Sequence, residues 1–256
     1  MRNGQFDLSG RVAIVTGGNG GIGLGMARGL ADAGAAVAVV GRNEAKSAAA
    51  VEDLGKRGVK AIAVATDVTD KAAVAAMVER VIGELGRIDI LVNNAGMSIR
   101  KPPHELELDE WNTVINTNLT SAFLCSKLAY PALKASGNGK VINIGSMMSI
   151  FGASFAAAYA ASKGGIVQYT RACANAWAPD NIQVNAILPG WIDTDLTKGA
   201  RQQVAGLHER VLARTPAARW GAIDDFAGIA VFLASPASDF VTGTAIPVDG
   251  GYSVMA

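Results

Sequence analysis

The sequence has 256 residues, of which 50% are hydrophobic and only 6% are aromatic. This length and composition fit one large α/β domain whose parallel sheet is buried on both faces. The 23 basic residues nearly balance the 22 acidic ones and form no basic run, which argues against a nucleic-acid partner. No apolar stretch precedes Leu8 or reaches the roughly 18 residues of a membrane helix. We therefore expect a cytoplasmic protein with no signal peptide and no membrane association.

Short β-branched runs alternate along the chain with longer amphipathic ones. The predicted strands are 12–16, 36–40, 60–65, 90–93, 140–144, 183–187 and 245–248. The predicted helices are 23–33, 44–57, 71–85, 108–135, 155–176 and 224–233. This order predicts right-handed crossovers and a Rossmann-type, doubly wound parallel sheet of about seven strands, in a single domain spanning residues 1–256.

The turn between the first predicted strand and helix reads Thr-Gly-Gly-Asn-Gly-Gly-Ile-Gly. Glycines permit a tight turn, and the free N–H groups of a helix start attract a pyrophosphate. Ordinary strand–helix loops are also glycine-rich, but a position inside a βαβ unit favours a dinucleotide site. The glycine spacing resembles that of the short-chain dehydrogenase/reductase family. The cofactor contacts that this turn implies are Gly17, Asn19, Gly21, Ile22 and Gly23.

The end of the second predicted strand bears on the choice of dinucleotide. NAD enzymes usually place Asp or Glu there to accept from the ribose 2′-hydroxyl, whereas this chain has Gly41 followed by Arg42. A charge-assisted bond from Arg42 to a 2′-phosphate contributes about 1.5–3 kcal/mol, so we expect NADP(H) to be favoured over NAD(H). In the alternative, Arg42 stacks on the adenine and specificity is mixed. Many NADP-dependent members of the family also carry a basic residue where this chain has Gly20.

Three later segments match the same family in the expected order. The Asp-Val pair after the third predicted strand resembles residues near the adenine ring. The Asn-Asn-Ala-Gly run that ends the fourth strand resembles a motif lining the cofactor cleft, and the Pro-Gly turn after the sixth resembles one beside the nicotinamide. The cofactor contacts implied by this resemblance are Asp67, Val68, Asn94, Ala95, Gly96, Pro189, Gly190, Ile192 and Thr194.

Four residues match the family's catalytic tetrad. Tyr159 and Lys163 lie four residues apart, which on a helix places both side chains on one face. Ser146 ends the fifth predicted strand, and Asn118 lies in mid-helix, where Asn has poor propensity. A Tyr–Lys pair alone is also typical of an amphipathic helix surface, but here none of the four positions is missing.

The chemistry of hydride transfer explains these residue types. Reduction of a ketone leaves negative charge on oxygen, which the Tyr159 hydroxyl can neutralise by donating its proton. Because the usual tyrosine pKa is about 10, we expect the Lys163 ammonium and an oxidised nicotinamide to lower it. Lys163 and Tyr159 are also expected to contact the cofactor. Ser146 is expected to orient the substrate oxygen, and Asn118 to hold a water that relays protons from Lys163.

The substrate is a small molecule with a carbonyl or secondary alcohol in this interpretation. Residues 190–220 leave the carboxyl end of a strand without clear periodicity, which predicts a substrate lid. Arg100 is a candidate to grip a carboxylate with two nitrogens, the alternative being a solvated surface charge. Residues 97–100 and 215–221 resemble those of gluconate and deoxy-ketogluconate dehydrogenases within the family, which implies a sugar acid or polyol. The substrate candidates are Arg100, Ser146, Met148, Tyr159 and Trp191.

Two other functions remain open from the residues alone. A 3-oxoacyl-carrier-protein reductase shares the tetrad and lid, but a nearly neutral chain gives little support for docking an acidic carrier. A non-catalytic dinucleotide-sensing scaffold would have no use for Tyr159. Cys125 and Cys173 are expected to be buried reduced thiols, and no residue spacing indicates a metal site. The helices that match 108–135 and 155–176 form a subunit interface in the resembled family, which implies a homotetramer.

Overall fold

The computed structural model describes residues 4–255 and contains one sheet of seven parallel strands. The strands are β1 Val12–Thr16, β2 Ala36–Gly41, β3 Ala61–Ala65, β4 Ile90–Asn93, β5 Gly139–Ile144, β6 Ile182–Pro189 and β7 Ala245–Val248. They lie in the order β3-β2-β1-β4-β5-β6-β7. Strand order therefore reverses between β1 and β4, which confirms the predicted Rossmann-type sheet. The ends of the predicted domain, residues 1–3 and 256, lie outside the described residues.

Nine α-helices flank the sheet within residues 4–255. They are α1 Gly21–Asp32, α2 Glu44–Gly55, α3 Lys71–Leu85, α4 Leu108–Ile115, α5 Ser121–Ala135, α6 Ala157–Trp177, α7 Asp195–Gln203, α8 Leu207–Arg214 and α9 Ala227–Ala234. In this part of the chain, none of them has the length and apolarity that crossing a bilayer requires.

Side chains of successive strand residues enter two cores on opposite faces of the sheet. Ala13 and Val15 of β1 pack with α1, α2 and α9, whereas Val12 and Ile14 pack with α3, α5 and α6. Burial on both faces explains why the strands are continuous apolar runs rather than alternating ones. Because all strands are parallel, their carboxyl ends meet along a single edge of the sheet, where the polar motifs follow.

Two predicted helices differ in detail from the structure. The predicted helix 108–135 is interrupted by the π-helical turn Asn116–Thr120, which separates α4 from α5. The predicted helix 224–233 begins as the 3₁₀ turn Ile223–Phe226, after which α9 follows.

The segment 190–220 was expected to be largely irregular, but it contains α7 and α8. These helices have only nine and eight residues, which is too short for a helical period to stand out in the sequence. They share a small apolar core separate from the main ones, formed by Ala200, Leu207 and Val211 with Trp191, Val204 and Trp220 against it.

Candidate active site

A cleft at the carboxyl ends of the strands consists of three neighbouring cavities. The first, of about 790 Å³, lies beyond β2 and β3, and the second, of about 300 Å³, lies over the glycine turn. The third, of about 100 Å³, lies between the end of β5 and the segment that follows β6. The cleft is therefore at the reversal of strand order, where open α/β sheets bind their ligands.

Most residues predicted from the sequence line these cavities. The first two are lined by Gly17, Asn19, Gly21, Ile22, Arg42, Asp67, Val68, Asn94, Ala95, Gly96, Tyr159, Lys163, Pro189, Gly190, Ile192 and Thr194. The third is lined by all five substrate candidates, Arg100, Ser146, Met148, Tyr159 and Trp191. Of the described residues predicted to act in the site, Gly23 and Asn118 lie behind its walls rather than on them.

The glycine turn has the geometry of an anion cradle. Gly17 and Gly21 adopt φ of +64° and +52°, a region that favours glycine. A Cβ on Gly23 would lie 2.3 Å from the Gly17 carbonyl oxygen, so Gly23 permits close packing rather than touching a ligand. Within the described chain, no side chain caps the start of α1, which leaves its first N–H groups facing the cleft. This donor set fits a dinucleotide pyrophosphate.

Asn94 fastens the glycine turn to the end of β4. Its side-chain nitrogen donates to the carbonyl oxygens of Thr16 at 3.0 Å and Gly17 at 3.2 Å. The Thr16 hydroxyl in turn accepts from the backbone N–H groups of Asn94 at 2.9 Å and Ala95 at 3.1 Å. Thr16 is thus a residue of the site that the sequence analysis did not single out, although it precedes the first glycine.

The first cavity, which the family resemblance makes the adenine end of the cleft, carries two cations. Arg42 is 79% exposed and lies 4.0 Å from Asp67 across the cavity. Lys46, in the first turn of α2, lines the same cavity and lies 3.4 Å from Asp195. The sequence analysis missed Lys46, although it lies only four residues after Arg42. Hydrogen bonds from Thr69 hold the pKa of the Asp67 carboxyl below its usual range.

Gly41 is closely approached by the glycine turn. A Cβ at Gly41 would lie 2.4 Å from the side-chain nitrogen of Asn19. That nitrogen donates to the Ser47 hydroxyl at 3.0 Å, which ties the turn to the start of α2. An NAD enzyme usually carries a carboxylate at this position. Here the side chain of Asn19 fills the space that a side chain on residue 41 would enter.

Tyr159, Lys163 and Ser146 meet where β5 ends beside α6. The Lys163 ammonium donates to the Ile144 carbonyl at 2.6 Å and lies 5.7 Å from the centre of the Tyr159 ring. Ser146 lies two residues after the end of β5 and caps a short 3₁₀ turn by accepting from the Met148 N–H at 3.1 Å. The phenol, the ammonium and the serine hydroxyl therefore share one wall of the cleft, as the motif spacing predicted.

Burial dominates the electrostatics of the pair. Although part of the Tyr159 surface faces the cleft, burial raises its pKa, opposed by the Ser146 hydroxyl and the Arg100 charge. Burial also lowers the pKa of the Lys163 ammonium to about 8. Desolvation dominates the pKa of both groups here, whereas the lowering of the tyrosine pKa by Lys163 together with an oxidised nicotinamide stays a prediction for the complex. At neutral pH the site therefore presents a protonated phenol beside a protonated amine.

Asn118 has a structural position at the centre of the π-helical turn. Its side-chain oxygen accepts from the Met97 N–H at 2.8 Å, and its nitrogen donates to the Met97 carbonyl at 2.9 Å and to the Ser162 hydroxyl at 3.0 Å. Both the oxygen and the nitrogen of the side chain therefore bond to protein groups. Asn118 holds in place the segment that leaves β4 beside Gly96, where a Cβ would lie 3.6 Å from the Lys163 nitrogen.

Arg100 connects the third cavity to α7. Its guanidinium donates to the Leu196 carbonyl at 3.0 Å and to the Gln203 side chain at 3.2 Å. Within residues 4–255, no carboxylate lies within 4.0 Å of it. Burial lowers the pKa of this guanidinium, and the negative charge that Tyr159 carries when ionised acts in the opposite direction. A desolvated cation without a carboxylate beside a phenol is suited to an anionic ligand.

The chain resembles known dehydrogenases over almost its entire length. A family model described as enoyl-(acyl carrier protein) reductase matches residues 17–253. The 2-dehydro-3-deoxy-D-gluconate 5-dehydrogenase of Escherichia coli (strain K12) is 43% identical, with 96% of this chain and 97% of that protein covered. The gluconate 5-dehydrogenase of Gluconobacter oxydans (strain 621H) is 38% identical, with 97% of each covered. The crystal structure of gluconate 5-dehydrogenase from Burkholderia cenocepacia J2315, in complex with NADP and tartrate, has a TM-score of 0.94 and 39% identity, with 100% of both chains covered.

Proposed function

This chain belongs to the short-chain dehydrogenase/reductase family and is an NAD(P)-dependent oxidoreductase acting on CH–OH groups, and we propose that its substrate is a sugar acid. The observation that carries the proposal is Arg100, a partly buried cation that lines the same cavity as Ser146 and Tyr159. The names of the relatives, which act on gluconate and deoxy-ketogluconate, point to the same chemistry. A carrier-bound acyl thioester is neutral at its reacting end and would leave Arg100 without a carboxylate.

The proposed mechanism assigns one task to each residue of the site. The bound nicotinamide supplies or accepts the hydride. Tyr159 donates its proton to the substrate oxygen in reduction and takes it back in oxidation. Ser146 hydrogen-bonds the same oxygen, and Lys163 holds a positive charge beside the phenol. Asn118 positions the segment that leaves β4 through its two hydrogen bonds with Met97.

Removing the Arg100 charge tests the substrate class. Arg100→Met is expected to raise KM for an aldonic acid about ten- to a hundredfold, because a charge-assisted bond to the carboxylate is lost. The KM for a neutral alditol of equal chain length should stay unchanged. Initial rates with both substrates measure this, and Lys101→Met, which removes a neighbouring charge bound to Glu110, is the matched control. Equal effects on acid and alditol would contradict a carboxylate contact.

We propose NADP(H) as the preferred cofactor. Support comes from Arg42 and Lys46 at the adenine end, from the missing carboxylate at Gly41 and from the NADP complex of the Burkholderia relative. Arg42→Ala is expected to lower kcat/KM with NADP about ten- to a hundredfold and to change that with NAD little. Arg80→Ala, which removes an arginine paired with Glu84 on α3, is the control. A parallel loss with both cofactors would mean that Arg42 stacks on the adenine instead.

We further propose that 190–220 is a lid over the substrate and that the enzyme is a homotetramer. Supporting the assembly, α5 and α6 present an aromatic groove of about 310 Å³ that a second copy would cover. Phe123 in this groove is 43% exposed, and together with the other aromatic residues it forms an apolar patch of the kind that marks protein–protein interfaces. Sedimentation equilibrium is expected to give four times the 26.3 kDa chain mass, and a monomer would contradict the proposal.

A further inference from the structure

Arg214, the last residue of α8, is held by aromatic rings rather than by acidic groups. Its guanidinium carbon lies 4.9 Å from the ring centre of Phe151 and 4.6 Å from that of Tyr252. The two rings themselves meet edge to face at 6.4 Å. Among residues 4–255, no carboxylate oxygen lies within 4.0 Å of Arg214, so the two rings are its specific partners.

The three residues come from segments that are distant in sequence. Phe151 follows the short turn that begins at Ser146, and that turn carries Met148, which lines the substrate cavity. Tyr252 belongs to the turn that follows β7. Arg214 thus joins the second lid helix to the wall of the substrate cavity and to the C-terminal turn at a single point.

The C-terminal turn also supports both ends of the lid. The Gly190 N–H donates to the Val248 carbonyl at 3.0 Å, and the Ala217 N–H donates to the Gly250 carbonyl at 3.0 Å. A Cβ on Gly251 would lie 2.9 Å from the Pro216 ring, so the two segments are in close contact. Since both ends are fixed in this way, the orientation of α8 between them depends on its own contacts, which are those of Leu207 and Val211 in the core shared with α7 and those of Arg214 at its last residue.

We propose that Arg214 is a positioning residue that, through Phe151 and Tyr252, holds α8 against Trp191, a residue that lines the substrate cavity. This inference rests on the proposed function in that the lid covers the substrate. A planar guanidinium stacks on aromatic faces in a way that an ammonium does not, which explains an arginine here. Arg100 holds α7 at the opposite end of the lid through the Leu196 carbonyl. The two lid helices also share the apolar core of Ala200, Leu207 and Val211, so loss of Arg214 is expected to loosen α8 and, through that core, α7.

Steady-state kinetics test this role. Arg214→Met, which keeps the length of the side chain, and Phe151→Leu, which keeps an apolar residue, are each expected to raise KM for the sugar acid about tenfold. We expect kcat and the Kd of NADPH, measured by its fluorescence, to stay close to those of the wild type. Phe151→Tyr retains an aromatic face and should restore KM. Arg210→Met is the control on the same helix, because among residues 4–255 the Arg210 side chain bonds to the Ala205 carbonyl and to no other group. An unchanged KM in Arg214→Met, or failure of Phe151→Tyr to restore it, overturns the proposal.

A second measurement does not depend on any substrate. Trypsin should cleave the full-length Phe151→Leu protein several-fold faster than wild type at Lys198, Arg201 or Arg210 in the lid, and Phe151→Tyr should behave as wild type. Unchanged cleavage overturns the role of Arg214, even if sugar acids are turned over. Faster cleavage in an enzyme that turns over no sugar acid leaves the lid contact standing and refutes the proposed substrate instead.

Discussion

Replacing Tyr159 by phenylalanine is expected to lower kcat about 10²–10⁴-fold, the usual contribution of a positioned proton donor. The substitution removes only the hydroxyl that faces Ser146 and leaves the ring beside Lys163. Folding and NADPH binding should therefore be preserved. Circular dichroism, NADPH fluorescence titration and initial rates in both directions measure the three properties separately.

The matched control removes a different phenol from the same protein. Tyr130 donates to Asp180 at 2.5 Å on the far side of α5, and Tyr130→Phe should leave kcat unchanged. If Tyr159→Phe retained wild-type turnover, the proton would have to come from another group, and Tyr159 would lose its place in the mechanism.

The second prediction with a large expected effect concerns both turnover and stability. Lys163→Met is expected to lower kcat strongly, because the charge beside the phenol is lost. It is also expected to raise the free energy of unfolding of the cofactor-free protein near pH 7. Burial lowers the pKa of Lys163 to about 8 from 10.5, which corresponds to a cost on the order of 3 kcal/mol for holding the buried charge. The lost bond to the Ile144 carbonyl offsets about 1 kcal/mol of the gain.

The pH dependence gives this prediction its sign. Between about pH 8 and 10.5 the native protein has released the Lys163 proton while the unfolded chain still holds it. The unfolded state binds more protons in that window, so the wild type gains stability as pH rises. The advantage of Lys163→Met should therefore be full below pH 8 and shrink towards pH 10.5. Urea unfolding of both proteins at pH 7 and pH 10 measures the difference.

Lys140 provides a contrasting buried lysine. Its side chain is 1% exposed, and it donates to Gln183 at 2.7 Å and to Asp239 at 2.6 Å. Lys140→Met leaves the Gln183 and Asp239 oxygens without that donor, so it should not raise the free energy of unfolding. If Lys163→Met were as destabilising as Lys140→Met, the inferred cost of the buried Lys163 charge would be wrong.

The strands and the reacting residues were accessible from sequence. A strand buried on both faces must be a short apolar run, and all seven predicted strands are present. Tyr159, Lys163 and Ser146 were found because they match the tetrad of the resembled family, and the structure places the first two on α6 and Ser146 two residues after β5. A sequence pattern was therefore sufficient to predict those elements whose structure depends mainly on neighbouring residues.

The features that were missed depend on contacts between distant segments. The π-helical turn is centred on Asn118, whose partner Met97 lies 21 residues earlier. Arg100 bonds to Gln203, and the desolvation that raises the pKa of Tyr159 comes from the whole surrounding wall. Neither composition nor periodicity contains such information. The short lid helices were missed because tertiary packing, rather than a long period, stabilises them.

The contact between Gly41 and Asn19 constrains how cofactor preference can change over generations. An aspartate at position 41 would supply the usual acceptor for a ribose hydroxyl, but its Cβ would displace Asn19 from Ser47. An acid at position 41 would thus disrupt this contact as long as residue 19 is asparagine. It would be useful in a protein whose residue 19 is already smaller. An evolving lineage, or a laboratory selection, would have to shorten residue 19 first and acquire the acid second.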